Sequence, residues 1–183
     1  MTKSQLHTYF KIALDKYSNS IGFGGCPAFL DSEIDYWLDL GYTEEINNKF
    51  TGTNAIKQPF EKSVKRIHDL EGLVQTDTNR IMQNDDFSNV CTLKDAFKNK
   101  LFFVDAVFKF DNNKASVILI SHDEAKKYQK SYNNIPWIET PVAVIEDGDL
   151  KIYYDPVSMQ ASSYKVDLTC VVRPMSISSL MND

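Results

Sequence analysis

The first part of the chain has apolar residues at helical spacing, which predicts an N-terminal helix. Thr2 and Gln5 fit a capping box, in which each side chain accepts a hydrogen bond from the other residue's backbone N–H. The apolar stripe that follows consists of Leu6, Phe10, Ala13, Leu14 and Tyr17. Glycine, proline and small polar residues are frequent at positions 18–27, so we expect the helix to end there.

A second helix is predicted from Asp31, whose side chain suits the N-cap position. Its apolar face consists of Ile34, Trp37, Leu38, Tyr42, Ile46 and Phe50. Its other side carries Asp31, Glu33, Asp35, Asp39, Glu44 and Glu45, with Lys49 as the basic residue. We interpret this side as a solvated acidic face, and a surface that repels or pairs with charged groups is the alternative.

Residues 51–54 interrupt the helical pattern, and Pro59 suits the first turn of a third helix. The positions that continue this helix are Phe60, Val64, Ile67, then Leu70 or Glu71, and Val74. Lys62, Lys65 and Arg66 predict a solvated basic face, or alternatively a contact with phosphates or acidic partners. Three helices with short loops predict a small helical bundle.

A polar stretch at residues 75–89 follows the predicted helices, and the pattern after it has the periodicity of strands. We therefore predict a helical region at 1–75, a polar connecting segment at 76–98, with the character of a boundary or mobile loop, and a β-rich region at 99–183. The predicted fold class is α+β, in which a three-helix bundle precedes an antiparallel β-rich domain with one short inserted helix.

Two hairpins are predicted in the β-rich region. Their strands lie at residues 101–110, 115–120, 141–146 and 150–154. Polar residues at 111–113 form the first turn. Asp147 and Gly148 form the second, because this pair readily adopts the positive φ angles of a tight turn.

A short helix is predicted between the two hairpins. Ser121 and Glu124 form a second capping box, and the helix should extend over residues 122–130. Residues 166–172 predict a last strand, which ends before Pro174 because proline cannot donate to a strand ladder.

Composition and charge limit the classes of function. The chain has 183 residues, of which 43% are hydrophobic, enough to bury one core or two small ones. Its net charge of −5 argues against a protein whose main task is to hold nucleic acid by its phosphates, but does not exclude DNA nearby. The N-terminal residues lack a signal-peptide pattern, and no apolar run has the length of a membrane span.

Neither the cysteines nor the glycine-rich loop form a recognisable site. The cysteines are Cys26, Cys91 and Cys170, which lie far apart and form no CxxC pair. We expect them to be buried as small apolar residues, without a zinc site or a disulfide framework. The glycines within residues 22–25 lack the spacing of a phosphate-binding loop, so a sharp turn is the simpler interpretation.

The histidines His7, His68 and His122 lie on three different predicted elements, and none has a second His or Cys at metal-ligand spacing. The run His122-Asp123-Glu124 has the composition of a metal cluster, but acidic residues are also expected where a helix begins. No nucleophile elbow, HExxH or kinase signature is present. We therefore predict no catalytic, cofactor-binding or metal-ligating residues and no enzyme activity; a hydrolase built from scattered carboxylates is the alternative.

Four segments of the chain form a recognisable set. They are FLDSEIDYWL at 29–38, FTG at 50–52, PFEKSVKRIHDLEGLV at 59–74 and VDLTCVVRP at 166–174. Together they resemble ring, or head-to-tail connector, proteins of crAss-like tailed bacteriophages. In that family an EIDYWL-type helix leads through an aromatic and glycine corner to a second helix, and an aromatic residue is usual where Cys170 stands.

The resemblance implies a structural protein that forms a closed homo-oligomeric ring of about 12 copies. The ring would lie in the virion between the portal protein and the other connector or tail proteins, after synthesis in the host bacterial cytoplasm. Genomic DNA would pass through its channel without sequence-specific binding, and no membrane or cofactor would be involved. The GFGGCP loop and the polar residues at 84–86 depart from the family, which leaves open which ring of the stack this is.

A closed ring requires each subunit to present two different, complementary faces. An exposed sheet edge can supply one of them by pairing with the next subunit. We therefore expect the β-rich half to join neighbours or tail proteins and the helices to dock upstream. The main alternative is a small phage or bacterial adaptor or regulator that binds a single protein partner as a monomer or dimer.

Overall fold

The chain belongs to the α+β class, as its periodicity predicts, because helices precede two largely antiparallel sheets. The computed structural model describes residues 1–17, 29–52, 64–84, 89–130, 135–137 and 139–180. The chain forms two compact units. The helical unit consists of Met1–Glu71 with Pro174–Asp183, and the sheet unit consists of Gly72–Arg173.

The described helices of the helical unit are α1 at Lys3–Tyr17, α2 at Asp31–Thr51 and α3 at Val64–Leu70. Both α1 and α3 contact α2. The predicted beginning of the third helix at Pro59 lies outside the described residues, so the three-helix bundle stays a prediction. The predicted end of that helix is wrong, because the chain tightens into a 3-10 turn at Glu71–Leu73 and Val74 pairs as a strand residue.

The first helix begins as predicted, and the second begins one residue before its predicted start. Thr2 N–H donates to Gln5 Oε1 at 3.1 Å and Gln5 N–H donates to Thr2 Oγ1 at 3.3 Å, which confirms the capping box. The N-cap of α2 is Leu30 rather than Asp31, because the Glu33 carboxylate accepts the Leu30 N–H at 2.9 Å. Asp31 is thus the first helical residue, where its negative charge still favours the helix dipole.

The sheet unit is formed by nine described strands and one described helix. The strands are β1 Val74–Ile81, β2 Gln83–Asn84, β3 Val90–Leu93, β4 Lys100–Phe110, β5 Asn113–Ser116, β6 Ile118–Leu119, β7 Val142–Glu146, β8 Asp149–Tyr153 and β9 Tyr164–Val172. Sheet A has the order β1-β9-β4-β5, and sheet B has the order β2-β3-β8-β7-β6. The strands pair antiparallel except for β6 and β7, which are parallel.

The local predictions in this unit are largely confirmed. Strands β7 and β8 form the predicted hairpin, and its turn residues Asp147 and Gly148 have φ angles of 55° and 83°. Helix α4 spans His122–Lys130, and Ser121 N–H donates to a Glu124 carboxylate oxygen at 3.2 Å. The hairpin of β4 and β5 is also confirmed, and β9 is the predicted last strand.

The strand predicted at 115–120 is divided between the two sheets. Strand β5 pairs with β4 in sheet A, whereas β6 pairs with β7 in sheet B. Val117 lies between them, and its N–H donates to the Ala106 carbonyl oxygen at 2.9 Å. The chain therefore passes from one sheet to the other within this short apolar run.

The polar stretch predicted as a connecting segment or mobile loop is largely strand where the structure describes it. Strand β1 forms one edge of sheet A and pairs with β9, and β2 pairs with β3. An edge strand with one solvated face needs few apolar residues, which explains why its hydrophobic signal is weak. The compact units divide the chain after Glu71 and after Arg173, whereas the sequence predicted divisions after residues 75 and 98.

The two sheets share one hydrophobic core. Its buried residues include Ala106, Phe108, Val166, Leu168 and Cys170 from sheet A, and Cys91, Leu93, Ala143, Leu150 and Ile152 from sheet B. On the other face of sheet B, α4 packs through Ala125 against Val142, Val144 and Tyr153. Sheet B is therefore covered on both faces, by the shared core on one face and by α4 on the other.

Candidate functional site

The apolar face predicted for α2 is only partly correct. Ile34 and Ile46 are buried as expected, but Trp37 and Tyr42 are exposed, and Asp35 is buried instead. A charged side chain is rarely buried in a protein unless it is paired. Because a helix turns by about 100° per residue, Asp35 lies on the same side of α2 as Ile34 and Ile46, and it occupies part of the face that packs inward.

A polar network between α1 and α2 accounts for the burial of Asp35. Lys3 Nζ lies 2.7 Å from Asp35 Oδ2, and His7 Nε2 lies 2.8 Å from Asp35 Oδ1. His7 Nδ1 lies 3.4 Å from an oxygen of Asp31. Burial alone would raise the pKa of Asp35, but the hydrogen bonds and charges of Lys3 and His7 outweigh it, so this pKa is lowered.

The exposed side of α2 carries a cluster that we call the aromatic ridge, formed by Tyr36, Trp37 and Leu40. Their side chains are 62%, 53% and 45% exposed, and the rings of Tyr36 and Trp37 meet edge to face with centroids 5.5 Å apart. Glu33 and Glu44, also exposed, flank the ridge along the helix. Tyrosine and tryptophan are enriched in protein-binding surfaces, and contiguous exposed apolar side chains are a common feature of such surfaces.

The C-terminal residues return to α2 through Asp39. Ser176 Oγ donates to Asp39 Oδ2 at 2.5 Å, and the Ile177 N–H donates to Asp39 Oδ1 at 2.8 Å. These bonds hold the beginning of a 3-10 turn at Ile177–Ser179. The sequence predicted Asp39 as part of a solvated acidic face, and the contact with a segment 137 residues away gives it a structural role instead.

Replacement of Asp39 by alanine should release the C-terminal turn from α2. The two bonds go to a carboxylate, so their loss should lower the local opening free energy by about 1–2 kcal/mol. Faster amide hydrogen exchange at residues 175–180 would report this release. Glu44→Gln is the matched control on the same helix, and equal exchange rates in the two variants would contradict the prediction.

The outer face of sheet A carries an ordered polar arrangement around Asp167. One of its carboxylate oxygens lies 2.5 Å from Lys109 Nζ, and the other accepts the Asn79 N–H at 2.7 Å. The hydrogen bond from Lys109 lowers the pKa of Asp167 most, and the Asn79 N–H and the charges of Lys109 and Lys114 also lower it, against the effect of burial. Positive charge therefore dominates the surroundings of this carboxylate.

Three lysines lie side by side on this face. In the strand register Lys165 of β9 is opposite Lys109 of β4, which is opposite Lys114 of β5, and we call these residues the lysine row. Ile81 of β1 is opposite Lys165 and completes the line across the sheet. Sequence reasoning missed the row because each strand supplies a single lysine, and the strand register alone aligns them.

The three histidines that were considered as metal ligands lie in separate places in the structure. His7 belongs to the polar network with Asp35, His68 on α3 lies 3.2 Å from Glu71, and His122 is the first residue of α4. Among the described residues no group of three or more His, Cys, Asp or Glu side chains could hold a metal ion.

The described cysteines are buried, as predicted. Burial raises the pKa of Cys91 to about 12 and that of Cys170 to about 11, so both are held as neutral thiols. The predicted features that lie outside the described part of the chain are Cys26, the glycines at 22–25 and the side chains of Lys62, Lys65 and Arg66.

No protein-family model matches this chain, and no curated protein matches it. Within the part of the chain that the structure describes, no helix is both long enough and apolar enough to cross a membrane. The structural features that bear on function are the aromatic ridge of the helical unit, and the lysine row and the exposed β1 edge of the sheet unit.

Proposed function

We propose that the chain is a structural virion protein that forms a ring in the portal-to-tail connector of a crAss-like tailed bacteriophage. About 12 copies close the ring, which encloses the DNA channel and joins the portal protein to other connector or tail proteins. Genomic DNA passes through the channel without sequence-specific binding. The resemblance of the four sequence segments and the character of the exposed surfaces support this proposal.

The observation that carries the proposal is the exposure of the aromatic ridge. Tyr36 and Trp37 belong to the EIDYWL segment, which is the part of the resemblance with the most distinctive composition. Both side chains are exposed on α2 rather than packed in the core. A role in contact with another protein explains why these large rings occupy the surface.

The ridge has the features of a binding hot spot for an upstream protein, which we take to be the portal protein. Tyrosine and tryptophan supply large contact areas with few rotatable bonds, and they are enriched among residues whose truncation costs the most affinity. Glu33 and Glu44 on either side favour a partner pocket with an apolar centre and a basic rim. The helices then dock upstream, as we expect from the division of the chain into a helical and a β-rich half.

The sheet unit supplies a second surface suited to assembly. Strand β1 has eight residues and is an edge of sheet A, with β9 as its strand partner among the described residues. An exposed edge of this length can pair with a strand of the next subunit, which removes unpaired N–H and C=O groups. This contact would be heterologous, as a closed ring requires.

Replacement of Trp37 by alanine should weaken binding to the cognate portal protein by about 30-fold or more, as expected when a hot-spot tryptophan is truncated. Titration of the portal assembly with labelled chain measures this change. Trp137→Ala is the matched control, because Trp137 is 70% exposed but lies in the sheet unit, away from the ridge in sequence. Equal affinities of the two variants would contradict the assignment of the ridge.

Electron microscopy of the purified chain with the cognate portal tests the proposed function itself. Ring density at the lower face of the portal is the expected result, and its absence would overturn the proposal. A complex with one or two copies of the chain, measured by light scattering, would favour the single-partner adaptor instead.

A further inference from the structure

The lysine row places three like charges on adjacent strands, and the Asp167 carboxylate pairs with the central one, Lys109. Like charges directly opposite each other destabilise a sheet. A lysine on an edge strand can prevent strand pairing with another molecule, which would explain Lys114 on β5. Lys109 and Lys165 lie on β4 and β9, which are interior strands, so edge protection does not explain them.

The row has a regular geometry that the sheet itself imposes. Neighbouring strands lie about 4.8 Å apart, so the backbones that carry Lys165 and Lys114 are separated by about 10 Å. Lys109, between them, is held by Asp167 and by the Asn79 side-chain oxygen at 3.0 Å. Lys114 and Lys165 are exposed on either side of this fixed pair.

We infer that the lysine row binds phosphate oxygens of a nucleic-acid backbone without reading the bases. Lysine is one of the side chains that contact phosphates in protein–DNA complexes, together with arginine and with hydroxyl and amide groups such as those of Ser, Thr and Asn. Exposed Ser116 lies on the same face of β5 as Lys114, two residues away, and can add a hydroxyl donor. The ligand is thus a run of phosphodiester groups that lies across the strands of sheet A.

An acidic protein surface is also a polyanion, but the composition of the lysine row makes it the less suitable ligand. Lysine is depleted in the buried centres of protein interfaces, where aromatic residues and arginine are enriched. The row contains lysine alone, and its one apolar neighbour in the register is Ile81. Exposed lysines on the flat face of a sheet suit weak, sequence-independent binding to a nucleic-acid backbone, along which the protein can slide.

The choice of duplex DNA as the source of the phosphates rests on the proposed function, in which DNA passes through the ring. The contact adds to that function a sheet face that touches the DNA backbone. Lys109 is already paired with Asp167, so Lys114 and Lys165 supply two charges that are unpaired among the described residues, which give a logarithmic salt dependence with a slope of about −1.8. Affinity should therefore fall about 12-fold between about 50 mM and about 200 mM salt.

Fluorescence anisotropy of a labelled duplex DNA, titrated with the full chain, tests the inference. The double variant Lys114→Gln/Lys165→Gln should bind at least about 10-fold more weakly at about 50 mM salt, and its salt slope should be smaller by about 1.8. The control Lys94→Gln/Lys98→Gln removes the same charge from two exposed lysines of the sheet unit and should change binding little. Thermal unfolding of both double variants checks that they fold. The Lys114→Gln/Lys165→Gln variant should be at least as stable as the unmodified chain, because it removes repulsion between the lysines of the row.

Three results would overturn the inference: equal loss of binding in the two double variants, an unchanged salt slope in the row variant, or binding of polyglutamate as tight as that of DNA. The last result would indicate a site for acidic protein surfaces. These outcomes are separate from a failure of the proposed function, because a chain that forms no ring at the portal can still show, or lack, row-dependent DNA binding.

Discussion

Replacement of Phe108 by alanine should lower the free energy of unfolding of the sheet unit by about 3–5 kcal/mol, because it removes a ring from a closely packed core. Phe108 is fully buried on β4. Its ring is stacked on Tyr164 with centroids 5.6 Å apart and an interplanar angle of 6°, and Tyr154 lies 5.6 Å away on another side. The cavity would lie between both sheets, where neighbouring strands limit relaxation.

The neighbouring residue on the same strand provides the control for Phe108→Ala. Val107 points to the outer face of sheet A because successive side chains of a strand alternate. Val107→Thr keeps the shape of a half-buried side chain and should cost less than about 1 kcal/mol. Urea unfolding followed by hydrogen exchange of β4 and β9 measures both variants, and a similar loss in the two would contradict the role of Phe108.

The elements that the sequence predicts best are those that short-range contacts define. The capping boxes of Thr2 with Gln5 and of Ser121 with Glu124 involve residues three positions apart, and both are formed. The turn at Asp147 and Gly148 is equally local, because its φ angles follow from the two residue types. Such signals fix where an element begins and ends, but not what it packs against.

The orientation of α2 shows the limit of hydrophobic periodicity. A hydrophobic pattern places Trp37 inside and Asp35 outside, whereas the structure has the reverse. The difference arises from Lys3 and His7 on another helix, which pair with the Asp35 carboxylate. The aromatic ridge lies on the side of α2 that is turned away from Asp35 and Ile46, so its rings stay exposed.

The lysine row and the C-terminal contact depend on pairings that are distant in sequence. Lys165 meets Lys109 through the register of β9 and β4, and Ser176 meets Asp39 across most of the chain. No local pattern encodes either pairing. The sequence does not predict strand β1 for a related reason, since one of its faces is solvated and its pairing partner β9 lies far away in the sequence.

The polar network between α1 and α2 is expected to be the main polar contribution to the stability of the helical unit. Asp35→Ala leaves Lys3 and His7 without the carboxylate that pairs with both. Removal of one partner from a buried ionic cluster costs more than the interaction itself, because the remaining polar groups stay desolvated. We expect a loss of about 3 kcal/mol, measured by urea unfolding with hydrogen exchange of α1 and α2.

Two further substitutions separate the charge of Asp35 from its hydrogen bonding. Asp35→Asn keeps an oxygen that can accept from His7 but loses the negative charge, so its cost should be intermediate, about 1–2 kcal/mol. Asp31→Ala is the control, since the Asp31 side chain is 76% exposed and lies 3.4 Å from His7. It should cost less than about 1 kcal/mol, as exposed ion pairs do.

The same network predicts how stability depends on pH. The pKa of Asp35 is lower in the folded chain than its ordinary value, so the folded state favours the ionised carboxylate. Its contribution is complete above the ordinary carboxyl range and is lost as pH falls below about 4, through the lowered folded-state pKa. Asp35→Asn has no carboxyl to titrate and should show a shallower acid dependence. If stability falls equally steeply at acid pH in Asp35→Asn and in the unmodified chain, other carboxylates cause the acid sensitivity. The pairing of Asp35 with Lys3 and His7 would then not explain how stability depends on pH.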